Sequence, residues 1–305
     1  MTNDQAARMR RYTLAGQTIE APRLAAGLYL VATPIGNLRD ITLRALEMLA
    51  AADLVACEDT RVTRKLFDHY GLSAPLTPYH DHNAETARPK ILQRIAAGSA
   101  VALVSDAGTP LISDPGFKLV RDARAAALAV TAAPGASAAL MAITVAGLPT
   151  DRFFFEGFLP AKSGARRTRI GELARIPATL VLYESGPRLA DALGDLAQGL
   201  GAREAAVCRE LTKLHEEVRR GTLDTLARDY ADGAETRGEI AIVIAPPDAP
   251  APSGAGEIDA LLRAALARVS LKDAVAEVAA ATGEQRRAVY SRALELTKGD
   301  DAAPG

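Results

Sequence analysis

The chain has 305 residues, 49% of them hydrophobic and 24% charged, which is enough apolar material for two ordinary domains and too much for general disorder. Its formal net charge is -1, so a nucleic-acid partner has to be held by local basic patches and not by a strongly basic domain. No stretch offers the ~18 uninterrupted apolar residues of a membrane span, and the N-terminal stretch lacks the apolar core of a signal peptide, so the expectation is a cytoplasmic protein without membrane contact.

Residues 1–26 carry Arg8, Arg10 and Arg11 without hydrophobic periodicity and read as a flexible tail. From 27 to 150, short apolar runs alternate with helical patterns: "LYLVA" (28–32), "DLVAC" (53–57), "AVALVS" (100–105) and "LAVTAA" (128–133) are unbroken, as expected of strands covered on both faces. Between them "TLRALEMLAAA" and "DPGFKLVRDARAAA" read as helices, giving a parallel α/β domain. The two cysteines, Cys57 and Cys208, each close an apolar strand-like run, where a small buried thiol is the plain reading. From 151 to 246 the pattern changes to "RFFFEGF", "ATLVLYES", "AAVCREL", "EEVRRG" and "EIAIVIA". The runs at 205–211 and 216–221 are too close for a crossover and must pair antiparallel, so this second α/β domain has a mixed sheet. A Pro/Ala/Gly stretch at 247–256 reads as a linker, and 257–305 holds three short amphipathic helices. In that tail Ser270 and Asp273 suit a helix start, Gly283 suits a break, and Arg286, Arg287 and Arg292 lie on the polar side of the last helix. Helix-turn-helix spacing of this kind serves nucleic-acid contact or plain packing alike.

Three loops follow strands of the first domain: "TPIGN" (33–37), "SDAGTPLISDPG" (105–116) and "PGASA" (134–138). Ligands of open parallel sheets bind at the carboxyl ends of the strands, and small residues there expose backbone, so the three loops outline a pocket unless they are merely tight turns. None matches a dinucleotide or nucleoside-triphosphate fingerprint. Arg61, Arg64, Lys65 and Asp68 share one stripe of a helix, with Val62, Leu66 and Tyr70 on the apolar stripe. "AKSGARRTR" (161–169) crowds Lys162, Arg166, Arg167 and Arg169 into a Gly/Ser loop that reads as a phosphate clamp. His80 and His82 fall on the same side of a strand, but no third ligand follows at metal spacing, and no metal is expected.

"LYLVATPIGNLRDITLRALEML", "EDTRVTRKL", "VSDAGTPLISDPG", "PGASA", "EGFLP", "YESGPRL" and "RELTKLHEE" resemble, in this order, segments of the ribosomal RNA small subunit methyltransferase I family within the tetrapyrrole methylase superfamily. The resemblance covers about 27–245 and implies two α/β domains of the tetrapyrrole methylase type with a small C-terminal helical domain, S-adenosylmethionine held between the two domains, and a homodimer. It further implies 2'-O-methylation of a cytidine ribose in the decoding region of 16S rRNA. Carried over residue by residue, it assigns the cofactor to Pro34, Asp106, Ala107, Gly108, Thr109, Ile112, Ser137, Ala138, Glu184 and Leu211. Ala107-Gly108-Thr109-Pro110 replaces the Gly-Gly-Asp-Pro of tetrapyrrole-modifying relatives, which argues against a porphyrinoid substrate. A ribose hydroxyl is a poor nucleophile, and Asp59 and Glu210 are the candidate bases, each also readable as a helix cap or an ion-pair partner. Arg61, Arg64, Lys65, Lys162, Arg166, Arg167, Arg169, Arg286 and Arg287 are the expected RNA contacts. A small-molecule methyltransferase and a non-enzymatic RNA-binding factor are the competing readings; the basic 161–169 stretch and tail weigh against the first, and the complete set of cofactor segments against the second.

Overall fold

The computed structural model describes residues 10–233, 237–248 and 255–300. The chain divides into two compact units that meet between Pro246 and Pro247.

The first unit opens with a hairpin where the sequence reads as a loose tail. Strands β1 (Arg11–Leu14) and β2 (Gln17–Glu20) pair antiparallel around Ala15 and Gly16, both at positive φ (49° and 79°), the backbone that a two-residue hairpin turn requires. What holds it is packing that a polar-looking segment conceals: Tyr12 is 3% exposed in the core of the first domain, and Arg10 bonds the Asp53 carboxylate at 2.8 Å.

Five parallel strands follow: β3 (Gly27–Val31), β4 (Leu54–Cys57), β5 (Leu76–Pro78), β6 (Ala100–Val104) and β7 (Val130–Ala133), ordered β5-β4-β6-β3-β7. Helices α1 (Leu43–Ala51), α2 (Thr60–Tyr70), α3 (Ala84–Ala96) and α4 (Phe117–Ala125) make the crossovers. β4 and β6 are buried throughout, as continuous apolar runs should be. β7 departs from that reading: as an edge strand with one neighbour it leaves Thr131 and Ala132 exposed. The three-residue β5 carries no apolar run and is legible only through its pairing with β4. It ends at Pro78, so His80 and His82 lie in the turn before α3 and not on a strand.

The second sheet has the order β11-β10-β12-β9-β8, built from β8 (Phe153–Phe158), β9 (Thr179–Ser185), β10 (Glu204–Arg209), β11 (Glu217–Thr222) and β12 (Glu239–Ile244). Only β8 and β9 are parallel, so the sheet is mixed. Alternate residues of β9 and β12 serve two cores: Leu180, Leu182, Ile240, Ile242 and Ile244 face helices α6 (Ser163–Leu173), α7 (Leu189–Leu200) and α8 (Leu223–Ala231). Val181, Ala241 and Val243 face α5 (Ala138–Ala146), with Ala206 and Cys208 beside them. The small side chains on that face let α5 lie close to the sheet. Cys208 is sealed there, and burial pushes its thiol pKa up to about 12, the behaviour of an inert structural thiol.

The second unit contains α9 (Ala255–Leu266), α10 (Leu271–Thr282) and α11 (Arg286–Asp300) around a core of Leu262, Val275, Val278 and Val289. Ser270 caps α10 by accepting from the Asp273 amide, and Gly283 ends it at φ 72°. Arg292 bonds both oxygens of Asp259 at 2.6 Å, so this arginine ties α11 to α9 and is committed within the unit, whereas Arg286 and Arg287 are exposed. Among the described residues no helix is long and apolar enough to cross a membrane.

Candidate functional site

The three small-residue loops of the first domain are bonded to one another. Thr33 and Gly108 exchange backbone hydrogen bonds at 2.9 and 3.0 Å, the Thr33 hydroxyl donates to the Ser105 carbonyl, and the Thr109 hydroxyl donates to the Ala136 carbonyl at 2.9 Å. Short side chains are needed because the loops run so close: a Cβ on Gly135 would stand 2.7 Å from Ala32 Cβ, and one on Gly108 would stand 3.2 Å from Ile35 Cγ2. Gly108 also has φ +84°, which favours glycine over any L side chain.

Over this knot lies a cleft of about 340 Å³, within the ~300–1,000 Å³ of small-molecule sites. Its floor comes from the loop after β6 and the start of α5; its far wall comes from β9, at Tyr183 and Glu184, and from Leu211 just beyond β10. The Tyr183 hydroxyl accepts the Ala139 amide at 3.0 Å and so pins the first turn of α5 to β9. Glu184 is 3% exposed; its Oε1 accepts the Ser185 amide, while Oε2, 3.2 Å from the Arg188 guanidinium, makes no hydrogen bond. A buried carboxylate oxygen that has an ion-pair neighbour but no hydrogen bond, in a cleft lined mostly by small and apolar groups, fits a ligand that brings hydroxyl or amino donors on an otherwise apolar body.

A second, wider cavity of about 470 Å³ adjoins the first and shares Ile35, Asp106, Ala107 and Glu239 with it. Pro34, Gly36, Val62, Lys65 and Lys213 line it as well.

Every residue to which the resemblance assigns the cofactor lines the first cavity except Pro34, which lines the wider one. The two candidate bases lie outside both. Asp59 caps α2 by accepting the Arg61 amide at 2.8 Å, and the Arg61 guanidinium holds its pKa down to about 2. Glu210 bonds Lys213 Nζ at 2.8 Å and accepts the Glu239 amide, and those partners lower its pKa against the opposing effect of burial. The basic stretch at 161–169 is not a Gly/Ser loop, for α6 begins at Ser163. Arg166 is buried against Asp195 at 2.6 Å, and Arg169 forks onto Glu156 at 2.7 Å through both nitrogens, which leaves Lys162 and Arg167 exposed. On α2, Arg64 and Lys65 are exposed, and Arg61 is exposed while it bonds Asp59. Val62 is 36% exposed at the wider cavity, and Phe67 takes the core position beside Leu66 and Tyr70.

Residues 27–227 match the model of the Tetrapyrrole (Corrin/Porphyrin) Methylases, and residues 252–297 match that of the RsmI C-terminal HTH domain. The ribosomal RNA small subunit methyltransferase I of Mesorhizobium japonicum is 52% identical over 93% of this chain and 97% of its own length. The chain belongs to the ribosomal RNA small subunit methyltransferase I family. The family member of Pseudomonas aeruginosa is 44% identical over 89% of this chain and 98% of its own. Among solved structures, the uroporphyrin-III-C-methyltransferase of Thermus thermophilus shares the fold at TM-score 0.53 and 21% identity, covering 72% of this chain and 94% of its own. A second structure of that enzyme, at TM-score 0.50 and 21% identity over 72% of this chain and 97% of its own, is complexed with S-adenyl homocysteine.

Asp114 and Tyr183 are cleft residues of this methyltransferase that the sequence reading passes over. The signal for Asp114 was present, since it is the second carboxylate of the loop that holds Asp106; Tyr183 sits in a strand run and gives no such sign. Burial, with Glu58 and Asp106 nearby, raises the Asp114 carboxyl pKa from 3.8 to about 6, against a stabilising bond from Ser105. The folded state therefore favours the protonated acid: that stability is complete below pH ~4 and is lost as pH rises through ~6. Asp114→Asn is expected to stabilise the protein at pH 8 by about 1 kcal/mol, less than the ~3 kcal/mol of a fully desolvated group, with the gain vanishing toward pH 4. Urea unfolding at both pH values checks this, and a less stable variant at pH 8 would mean that the ionised form is the favoured one.

Proposed function

We propose that the chain uses S-adenosylmethionine to methylate the 2'-hydroxyl of a cytidine ribose in the decoding region of 16S rRNA. The observation that carries the cofactor reading is the cleft over the bonded loops, where Asp106, Ala107, Gly108, Thr109, Ile112, Ser137, Ala138, Glu184 and Leu211 converge. These residues would hold S-adenosylmethionine, which when bound supplies a methyl group already activated on sulfonium. The Glu184 Oε2 without a hydrogen bond, at the wall of this cleft, fits such a ligand. The protein's part is then to align donor and acceptor and exclude water, and orientation alone is worth roughly 7–11 kcal/mol.

Family membership supports ribosomal RNA of the small subunit as substrate. With a net charge of -1, recognition falls to local clamps, for which the exposed Arg61, Arg64, Lys65, Lys162, Arg167, Arg286 and Arg287 are available, and to the shape of the folded particle. Action in the cytoplasm, as a homodimer, completes the reading, and light scattering reports the dimer.

Assembled small subunits offered with tritium-labelled cofactor are expected to take up label at one cytidine, a short free oligonucleotide far less, and a particle carrying 2'-deoxyribose at that nucleotide none. Label that persists on the 2'-deoxy particle would place the methyl group on the base.

A further inference from the structure

The two adjoining cavities set a constraint on where the methyl group can cross. If the narrower one holds the cofactor, the acceptor must approach through the wider one, and the crossing point lies at the residues common to both: Ile35, Asp106, Ala107 and Glu239. Only two of these can take a proton. Glu239 is bonded by Lys213 at 3.0 Å and its side chain is 71% exposed, so it is neutralised and solvated at the rim. Asp106 is half-buried, and its Oδ1 accepts the Asp59 amide at 3.0 Å, which fixes the carboxylate while Oδ2 has no hydrogen bond among the described residues. On the acceptor side the wider cavity presents the exposed Lys65, a cation suited to a phosphate flanking a nucleotide, and the apolar surface of Val62 and Leu38, while Lys213 is held by Glu210 and Glu239.

We propose that the wider cavity seats the acceptor nucleotide and that Asp106 is the catalytic base, taking the proton of the ribose hydroxyl at the junction of the two cavities. This rests on the ribose reading above. The step balances: the hydroxyl oxygen bonds the methyl carbon, the carbon–sulfur bond of the donor breaks with its electron pair staying on sulfur, and the proton passes to Asp106. Burial raises the Asp106 pKa, which makes its carboxylate a better proton acceptor than a solvated one. The charged and titratable groups that face it are Asp59 and Arg61 at the start of α2, Glu58 at the end of β4, Asp114 on its own loop and Glu239 at the rim.

Asp106→Asn, which keeps the shape of a side chain that also lines the cofactor cleft, is expected to weaken S-adenosylmethionine binding in calorimetry by no more than about 10-fold, to bind unmethylated small subunits equally well without cofactor, and to lose ~10²–10⁴-fold in kcat at saturating cofactor. The fall of kcat toward low pH should disappear in this variant and persist in Asp114→Asn. Val62→Trp, which fills the wider cavity, should weaken particle binding in the absence of cofactor by 10-fold or more and leave cofactor affinity unchanged. A full kcat with a raised cofactor KM in Asp106→Asn would reduce Asp106 to a cofactor ligand, and undiminished particle binding by Val62→Trp would remove the acceptor from this cavity; either overturns the proposal. Nucleoside mass spectrometry of the parent's product separates this from the underlying reading: a base-methylated nucleoside defeats both, whereas a ribose-methylated product beside a fully active Asp106→Asn defeats only the role of Asp106.

Discussion

Gly108→Trp is expected to abolish S-adenosylmethionine binding, at least ~100-fold in affinity, which is about 2.7 kcal/mol. Two effects act together. At φ +84° an L side chain costs on the order of 1 kcal/mol, and its Cβ would stand 3.2 Å from Ile35 Cγ2 and 3.5 Å from the Ala136 carbonyl, between the loops that form the cleft floor. An indole beyond that Cβ has to push aside Ile35, which lines the cavity of about 340 Å³, and the loop at Ala136 that bonds Thr109. Gly98→Ala separates the two effects, because Gly98 lies at φ +98° with nothing within 4 Å: it carries the backbone cost without filling a site. Calorimetry should show binding intact in Gly98→Ala and absent in Gly108→Trp. Equal affinity in the tryptophan variant would mean that the cleft over the loops is not the cofactor's seat.

Arg166→Ala is expected to lose about 3–5 kcal/mol of stability in urea unfolding, with no specific loss of RNA binding in the folded fraction. The guanidinium is 6% exposed and bonds Asp195, itself 13% exposed, at 2.6 Å, so the pair joins α6 to α7 in a place water hardly reaches. Removing the arginine strands a buried carboxylate, which among the described residues keeps Ser163 at 3.3 Å and Arg167 at 3.8 Å. Replacing both partners, as in Arg166→Met with Asp195→Leu, should recover most of the loss, since two apolar side chains leave no uncompensated charge. Arg167→Ala should show the opposite profile: stability within ~0.5 kcal/mol of the parent, because the side chain is 55% exposed, and weaker particle binding with a shallower salt dependence. A marginal effect of Arg166→Ala on stability together with a large one on RNA binding would return this residue to the clamp.

What could be read without coordinates was whatever depends on local pattern. The runs at 54–57 and 100–104 are apolar throughout because strands buried on both faces must be, and the short gap between β10 and β11 permits only antiparallel pairing. The cofactor loops were legible for a related reason: a backbone that must touch a ligand, or another loop, cannot carry bulky side chains, and their absence shows in the sequence. Only the tertiary structure decided which charges are free. Arg166 and Arg167 are adjacent and identical in type, yet a helix turns one inward onto Asp195 and the other toward water. The same holds for Asp59, Asp106 and Asp114: as carboxylates in strand-end loops they look alike, and their separation into a helix cap, a junction residue and a half-buried acid follows from what α2, the β3 loop and the second sheet place around them. A charge's role is set by its distance to partners and to solvent, and in this chain those partners lie far away along the sequence, 47 residues for the bond from the Asp59 amide to Asp106.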